Sequence, residues 1–228
     1  MRNYLTEFIG TFFLVLTVGL TVVNEVSLAP LAIGSCLMVM VYMGGHVSGA
    51  HYNPAVSLAV LLNGKMSSLG EFVGYVVSQL AGAVVAALTV YGILGKSFVP
   101  APAEQASLMA ALLIEILYTF ALALVVLNSA ASAKTHGNSF YGLAIGYTIV
   151  VAAFAGGPVS GGAFNPAVGL GPALVHALVG GGSIGHVWLY LVGPLTGGAL
   201  AAVVFNLQER EPLQLHAEPS KTPESRPA

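Results

Sequence analysis

The stretch SGAHYNPAV, residues 48–56, returns as SGGAFNPAV at residues 160–168, so that Asn53-Pro54-Ala55 and Asn165-Pro166-Ala167 lie 112 residues apart. Each copy is short, polar and helix-breaking, and each sits inside a hydrophobic region. Asn is among the best helix N-caps, and Pro is favoured in the first helical turn, where its missing N–H would lack an intrahelical partner anyway. Each Asn-Pro pair is therefore expected to start a helix. The apolar run after the first ends at Asn63-Gly64, a plausible helix stop. At about 1.5 Å per residue that piece is roughly 15 Å long, half of a bilayer core of about 30 Å. It is too short to span a membrane.

Composition supplies the setting. The chain of 228 residues is 56% hydrophobic and 7% charged, and its nine acids are all Glu. An ordinary soluble domain has roughly 25% charged residues, so this chain lacks the polar surface of a water-soluble globule. Its apolar residues fall into six near-uncharged blocks, at about 5–24, 28–47, 71–94, 108–131, 139–157 and 186–206. Blocks of about 18 residues or more mark membrane-spanning helices. The first block carries Glu7, has only Arg2 before it and lacks a clear small-residue cleavage site, so it reads as a span rather than a signal peptide. Cys36 is the one cysteine, which excludes an intramolecular disulfide.

With six spans both ends share a side. Arg2, Lys65, Lys134, Arg210, Lys221 and Arg226 fall on that side and Lys96 alone on the other. The excess of positive charge puts both termini in the cytoplasm. The segment 208–228, rich in Glu, Pro and Ser, has no apolar periodicity and reads as a disordered cytoplasmic tail.

The repeat extends well beyond its nine letters. Leu31-Ala32-Ile33-Gly34 recurs as Leu143-Ala144-Ile145-Gly146, and Glu7 with Thr11-Phe12 recurs as Glu115 with Thr119-Phe120. The expected fold is thus all-α, six transmembrane helices plus two re-entrant half-helices in one domain over 1–207. It is built from repeats at about 1–100 and 108–207. Each repeat holds three spans, an odd number, so the second enters the membrane upside down. Inverted repeats bring equivalent broken segments together near the midplane, where a solute path can form. Two half-helices would there meet N-terminus to N-terminus, with Asn53 and Asn165 side by side and their dipoles adding to a positive potential.

Irregular backbone is tolerated at that depth only where it is buried in protein or lines a watery cavity. The glycine-rich leads at 44–49 and 156–162 read as extended or turning segments. The carbonyls of Gly49, Ala50 and His51 in the first, and of Gly161, Gly162 and Ala163 in the second, would then line the path. Asn53 and Asn165 would add two amide donors at its middle. A cation would meet positive helix ends and lose its hydration, so neutral hydrogen-bonding molecules are the natural passengers.

These residues resemble the major intrinsic protein family, the aquaporins and aquaglyceroporins. The resemblance covers about residues 4–206, with both NPA motifs and Glu7, Glu115, Gln79, Pro158 and Pro194. It implies one pore per subunit, homotetramers in the lipid bilayer, and passive flow of water or small uncharged solutes. Ions and protons would be excluded around the two Asn. It implies no enzymatic activity, cofactor or nucleic-acid partner, and it gives Glu7 and Glu115 the task of holding the NPA loops. An ionisable residue inside a span is costly and needs a partner; a proton relay is the competing reading of these two acids. His46 and His51 flank the first loop without a third ligand at metal spacing. His46 is expected to brace the loop and His51 to offer mainly its carbonyl. His176 and His186 are placed near a membrane face.

The resemblance also locates a selectivity filter. In water-selective members it combines an aromatic, a His, a small residue and an Arg directly after the second NPA. By register these positions are Ile33, Ala153, Gly162 and Val168, and none carries a side-chain donor. A wider, more apolar mouth follows, with weaker rejection of solutes larger than water. Gly169 stands where the glycerol-conducting branch usually keeps Asp. Pro172 either adds the carbonyl of Val168 as an acceptor or kinks the second half-helix. Water with other small neutral solutes is the expected cargo, a channel mainly for glycerol, urea, ammonia or metalloid acids the alternative, and an ion-coupled secondary transporter the competing class.

Overall fold

The computed structural model describes residues 1–209. Six helices are long and apolar enough to cross a membrane: α1 (Arg2–Val23), α2 (Ala29–Ser48), α4 (Leu69–Leu94), α5 (Leu108–Val126), α6 (Tyr141–Ser160) and α8 (Leu189–Glu209). Two short helices, α3 (Pro54–Leu62) and α7 (Pro166–Leu178), interrupt the series. A π-helical turn, Leu127–Ala131, continues α5, and no strand occurs among the described residues. The order long, long, short, long is written twice. Helix α1 packs on α2 and α4 as α5 packs on α6 and α8, while α3 crosses to α8 and α7 to α4.

Local chemistry explains the starts and stops. Asn53 and Asn165, both extended, cap α3 and α7 by accepting the N–H of Ala55 and Ala167 at 2.9 and 2.8 Å. Asn63 closes α3, its N–H donating to the carbonyl of Ala59. Ser68 caps α4 through the N–H of Glu71, whose carboxyl in turn accepts the N–H of Ser67 at 2.8 Å, a reciprocal pairing typical of helix starts. Helix α7 runs through Pro172 to Leu178 without a break.

Where apolar surface faces lipid on one side and protein on the other, close backbone approach holds helices together. A Cβ on Gly34 would lie 2.5 Å from the carbonyl of Gly146, and one on Gly146 would lie 2.5 Å from that of Gly34. That reciprocal contact is the α2–α6 crossing between the repeats. Gly82 meets the carbonyl of Phe8 in the same manner at the α1–α4 crossing.

Two expectations change here. The glycine-rich leads stay helical through residues 44–48 and 156–160, and only 49–52 and 161–164 leave the helix. The reason is packing: Gly44 and Gly156 give room to Tyr52 and Phe164 of the loops instead of turning the chain. Gln208 and Glu209, expected in the tail, belong to α8, and Glu209 faces Lys134 at 3.7 Å. The rest of that segment lies outside the described residues.

Candidate channel path and its supports

Left-handed backbone bends each loop. Gly49 and Gly161 have φ of 84 and 88°, but Ala50, Tyr52 and Phe164 also have positive φ, of 52, 49 and 49°. Such conformations are strained for residues with a Cβ, and the surroundings must hold them. The holding groups are two buried acids. Glu7 Oε1 accepts Ser48 Oγ–H at 2.7 Å and the N–H of His51 at 2.9 Å, and its Oε2 accepts the N–H of Tyr52 and Gln79 Nε2–H, both at 2.7 Å. Glu115 accepts Ser160 Oγ–H at 2.7 Å and the N–H groups of Ala163 and Phe164 at 3.1 and 2.7 Å. Tyr75 and Tyr190 donate to the carbonyls of Ser48 and Ser160, at 2.7 and 2.5 Å.

The second loop has one donor fewer. Tyr75 and Tyr190 are counterparts, so Gln79 corresponds to Pro194, which has no group to offer Glu115.

The two loops also bind each other. Asn53 Nδ2 donates to the carbonyl of Phe164 at 2.9 Å, and Asn165 Nδ2 donates to that of Tyr52 at 2.8 Å. One proton of each amide is thereby committed, leaving one on each Asn. Both Asn are buried, and both line a single cavity that threads the two loops.

That cavity brings together the residues marked from the sequence. Ile33, Ala153, Gly162 and Val168 all line it, with Ala50, His51 and Ala163 of the loops. Its volume of ≈ 40 Å³ is on the scale of a few water molecules. Gly49 and Gly161 do not line it. Tyr52 and Phe164 line it too, and its aliphatic wall comes in repeat-related pairs: Leu14 with Leu122, Val18 with Val126, Ile33 with Ile145, Leu37 with Ile149, Val56 with Val168. Apart from Ile33 and Val168 these wall residues were not marked from the sequence, although the spacing between the Glu7 and Glu115 helices would have paired Leu14 with Leu122. Sequence reasoning also passed over Tyr75 and Tyr190, for which no motif stands out.

One histidine requires a correction. His46 is exposed on the last turn of α2 and its ring makes no hydrogen bond among the described residues. The helix continues past it, which turns its side chain away from the loop. His51 is the histidine inside the loop: it is 9% exposed, and its Nδ1 lies 3.1 Å from Ser57 Oγ. His176 pairs with Ser97 at 2.9 Å at the far end of α7, and His186 is exposed. A place for Asp at 169 is closed by packing, because a Cβ there would strike Tyr190.

The chain matches the family model described as Major intrinsic protein over residues 1–205. It is 37% identical to the glycerol uptake facilitator protein-like 6 of Lactiplantibacillus plantarum, over 89% of this chain and 95% of that protein. It is 35% identical to Aquaporin NIP1-1 of Zea mays, over 91% of this chain and 74% of that protein. Among solved structures, the X-ray structure of the aquaglyceroporin from Plasmodium falciparum is similar with a TM-score of 0.81 and 25% identity, over 90% of this chain and 95% of that one.

Proposed function

The chain belongs to the major intrinsic protein family of membrane channels, which are not enzymes, and on that premise we propose that it passes water together with larger neutral solutes through an apolar filter. The observation that carries this reading is the lining of the narrow cavity. Ile33, Ala153, Gly162 and Val168 line it, and none has a side chain that can donate a hydrogen bond or repel a cation by charge. Two of the four are Gly and Ala, so bulk is also missing. A donor-poor, wide ring weakens the rejection of solutes larger than water.

The two half-helix N-termini and the remaining amide protons of Asn53 and Asn165 supply the path's central polarity. A neutral molecule with acceptor atoms gains bonds there, whereas a cation meets the positive ends of both helices. Glu7 and Glu115 serve as loop anchors. Their oxygens are occupied by loop N–H and hydroxyl donors, which argues against the ion-coupled transporter. Both termini lie in the cytoplasm of a cell membrane by the positive-charge asymmetry, and the assembly is a homotetramer by resemblance to the family.

Stopped-flow light scattering on proteoliposomes tests the reading. Water permeability well above that of empty vesicles, with added permeability to glycerol or urea, is expected. Water passage alone would remove the wide-filter reading, and no passage at all would remove the channel.

A further inference from the structure

The path has two chemically different sides. Helices α1, α2, α5 and α6 give the narrow cavity only aliphatic side chains, while its polar ones, His51, Tyr52, Asn53 and Asn165, come from the loops and the half-helix caps. The half-helices pack against α4 and α8, neither of which lines the cavity, so the loops form one side of the path and the other four helices the opposite side. Even the loop side has few donors left. Tyr52 spends its hydroxyl on the carbonyl of Met40 at 2.9 Å, and each Asn spends one amide proton on the other loop.

A repeated stripe builds much of the aliphatic side. Glu7, Thr11, Leu14 and Val18 are spaced by four, three and four residues and so share one face of α1; Glu115, Thr119, Leu122 and Val126 do the same on α5. The first residue of each stripe holds a loop, and the last two line the cavity. The threonine between them does not: Thr11 Oγ1 and Thr119 Oγ1 are buried without a partner among the described residues. In both halves the stripe's hydroxyl is thus kept out of the path, and only hydrocarbon is presented to it.

A solute crossing here replaces its hydration unevenly. On the loop side carbonyls and the remaining Asn protons take the place of the water it sheds, whereas on the aliphatic side nothing does. A polar group turned that way is left unpaired, and a methyl group turned that way leaves water at a gain. We propose that Leu14, Val18, Leu122 and Val126 are specificity-determining residues, which favour neutral solutes with one polar and one apolar side over solutes of the same size that are polar all round. The proposal rests on the channel reading above and names its solute class, short amides and diols that carry a methyl group. Acetamide is then preferred to urea, where a methyl replaces an amino group, and 1,2-propanediol to glycerol, where a hydrogen replaces a hydroxyl.

Permeabilities to these four solutes are measured by stopped-flow light scattering in proteoliposomes of the wild type, Val18→Thr and Val126→Thr. Values for empty vesicles are subtracted, since the methylated solutes also cross lipid. For the wild type the remainder is expected to favour acetamide over urea and propanediol over glycerol by about fourfold, the factor that one buried methylene supplies. Each threonine keeps the shape of valine and adds a hydroxyl to the wall; it should lower both ratios by about twofold or more, through faster passage of urea and glycerol. A wild type that takes urea and glycerol as readily as their methylated partners overturns this proposal alone, and one impermeable to all four overturns the wide-filter reading with it. Threonine variants that scale all four permeabilities alike overturn the assignment to the stripe. Should neither variant fold, the wild-type ratios decide.

Discussion

Glu7 and Glu115 perform one task with unequal means. Glu7 gathers two loop N–H groups, a serine hydroxyl and the amide of Gln79, whereas Glu115 has two N–H groups and a hydroxyl. Replacing a carboxyl oxygen by NH₂ sets a donor against donors, and each buried group left unpaired costs about 1–3 kcal/mol. Glu7→Gln should therefore destabilise the protein by roughly 2–5 kcal/mol and Glu115→Gln by less, since fewer donors are orphaned there. Thermal unfolding in detergent ranks the two, and the reverse order would refute the assignment. At the proposed filter, Val168 is buried and lines the same cavity as Gly162. Val168→Arg adds bulk and a charge; it should cut glycerol and urea passage more than water in the same vesicle assay. Equal losses would place the constriction elsewhere.

The half-helices show what a single element inherits from its first residue. Asn53 accepts from Ala55 and donates to Phe164, so its two ends can be tested apart. Asn53→Asp keeps the cap but replaces the donor by an acceptor facing a carbonyl. Helical content should be preserved, while stability falls by about 1–3 kcal/mol and cation conductance rises, measured in planar bilayers. The glycine crossings are a second property of elements. Gly34→Leu must push α2 away from α6, at about 1–3 kcal/mol or more for overpacking, seen as loss of monodisperse protein on gel filtration. Legibility followed the same division. Asn53, Pro54, Asn165 and Pro166 were readable because capping is a local matter of one side chain and the next two N–H groups. The glycines at 44 and 156 were misread, because nothing local tells a glycine that turns the chain from one that makes room for Tyr52 or Phe164. His46 was misjudged for the same reason, since only the point where α2 ends decides whether it faces the loop.

At the scale of the molecule, two inverted halves enclose one path, and both are needed to build it. The hydrogen bonds from Asn53 to Phe164 and from Asn165 to Tyr52 close each loop upon the other. The proposed channel couples its solute to no ion. Flux should reverse when the solute gradient reverses, should not depend on proton or sodium gradients, and should not saturate with solute over the range that a transporter would. Uptake that requires an ion gradient would sink the channel reading. The sequence by itself determined the six spans, the two short helices, the inversion and the pair of asparagines. Those follow from apolar run length, from local capping chemistry and from an odd number of spans per repeat, all properties of neighbouring letters. Only the tertiary structure decided which side chains face the path, how many donors each buried acid collects, and that Leu14 and Val18 belong to its wall while Thr11 does not. Such facts depend on contacts between helices far apart in the chain, where direction and distance are set by packing and no local pattern records them.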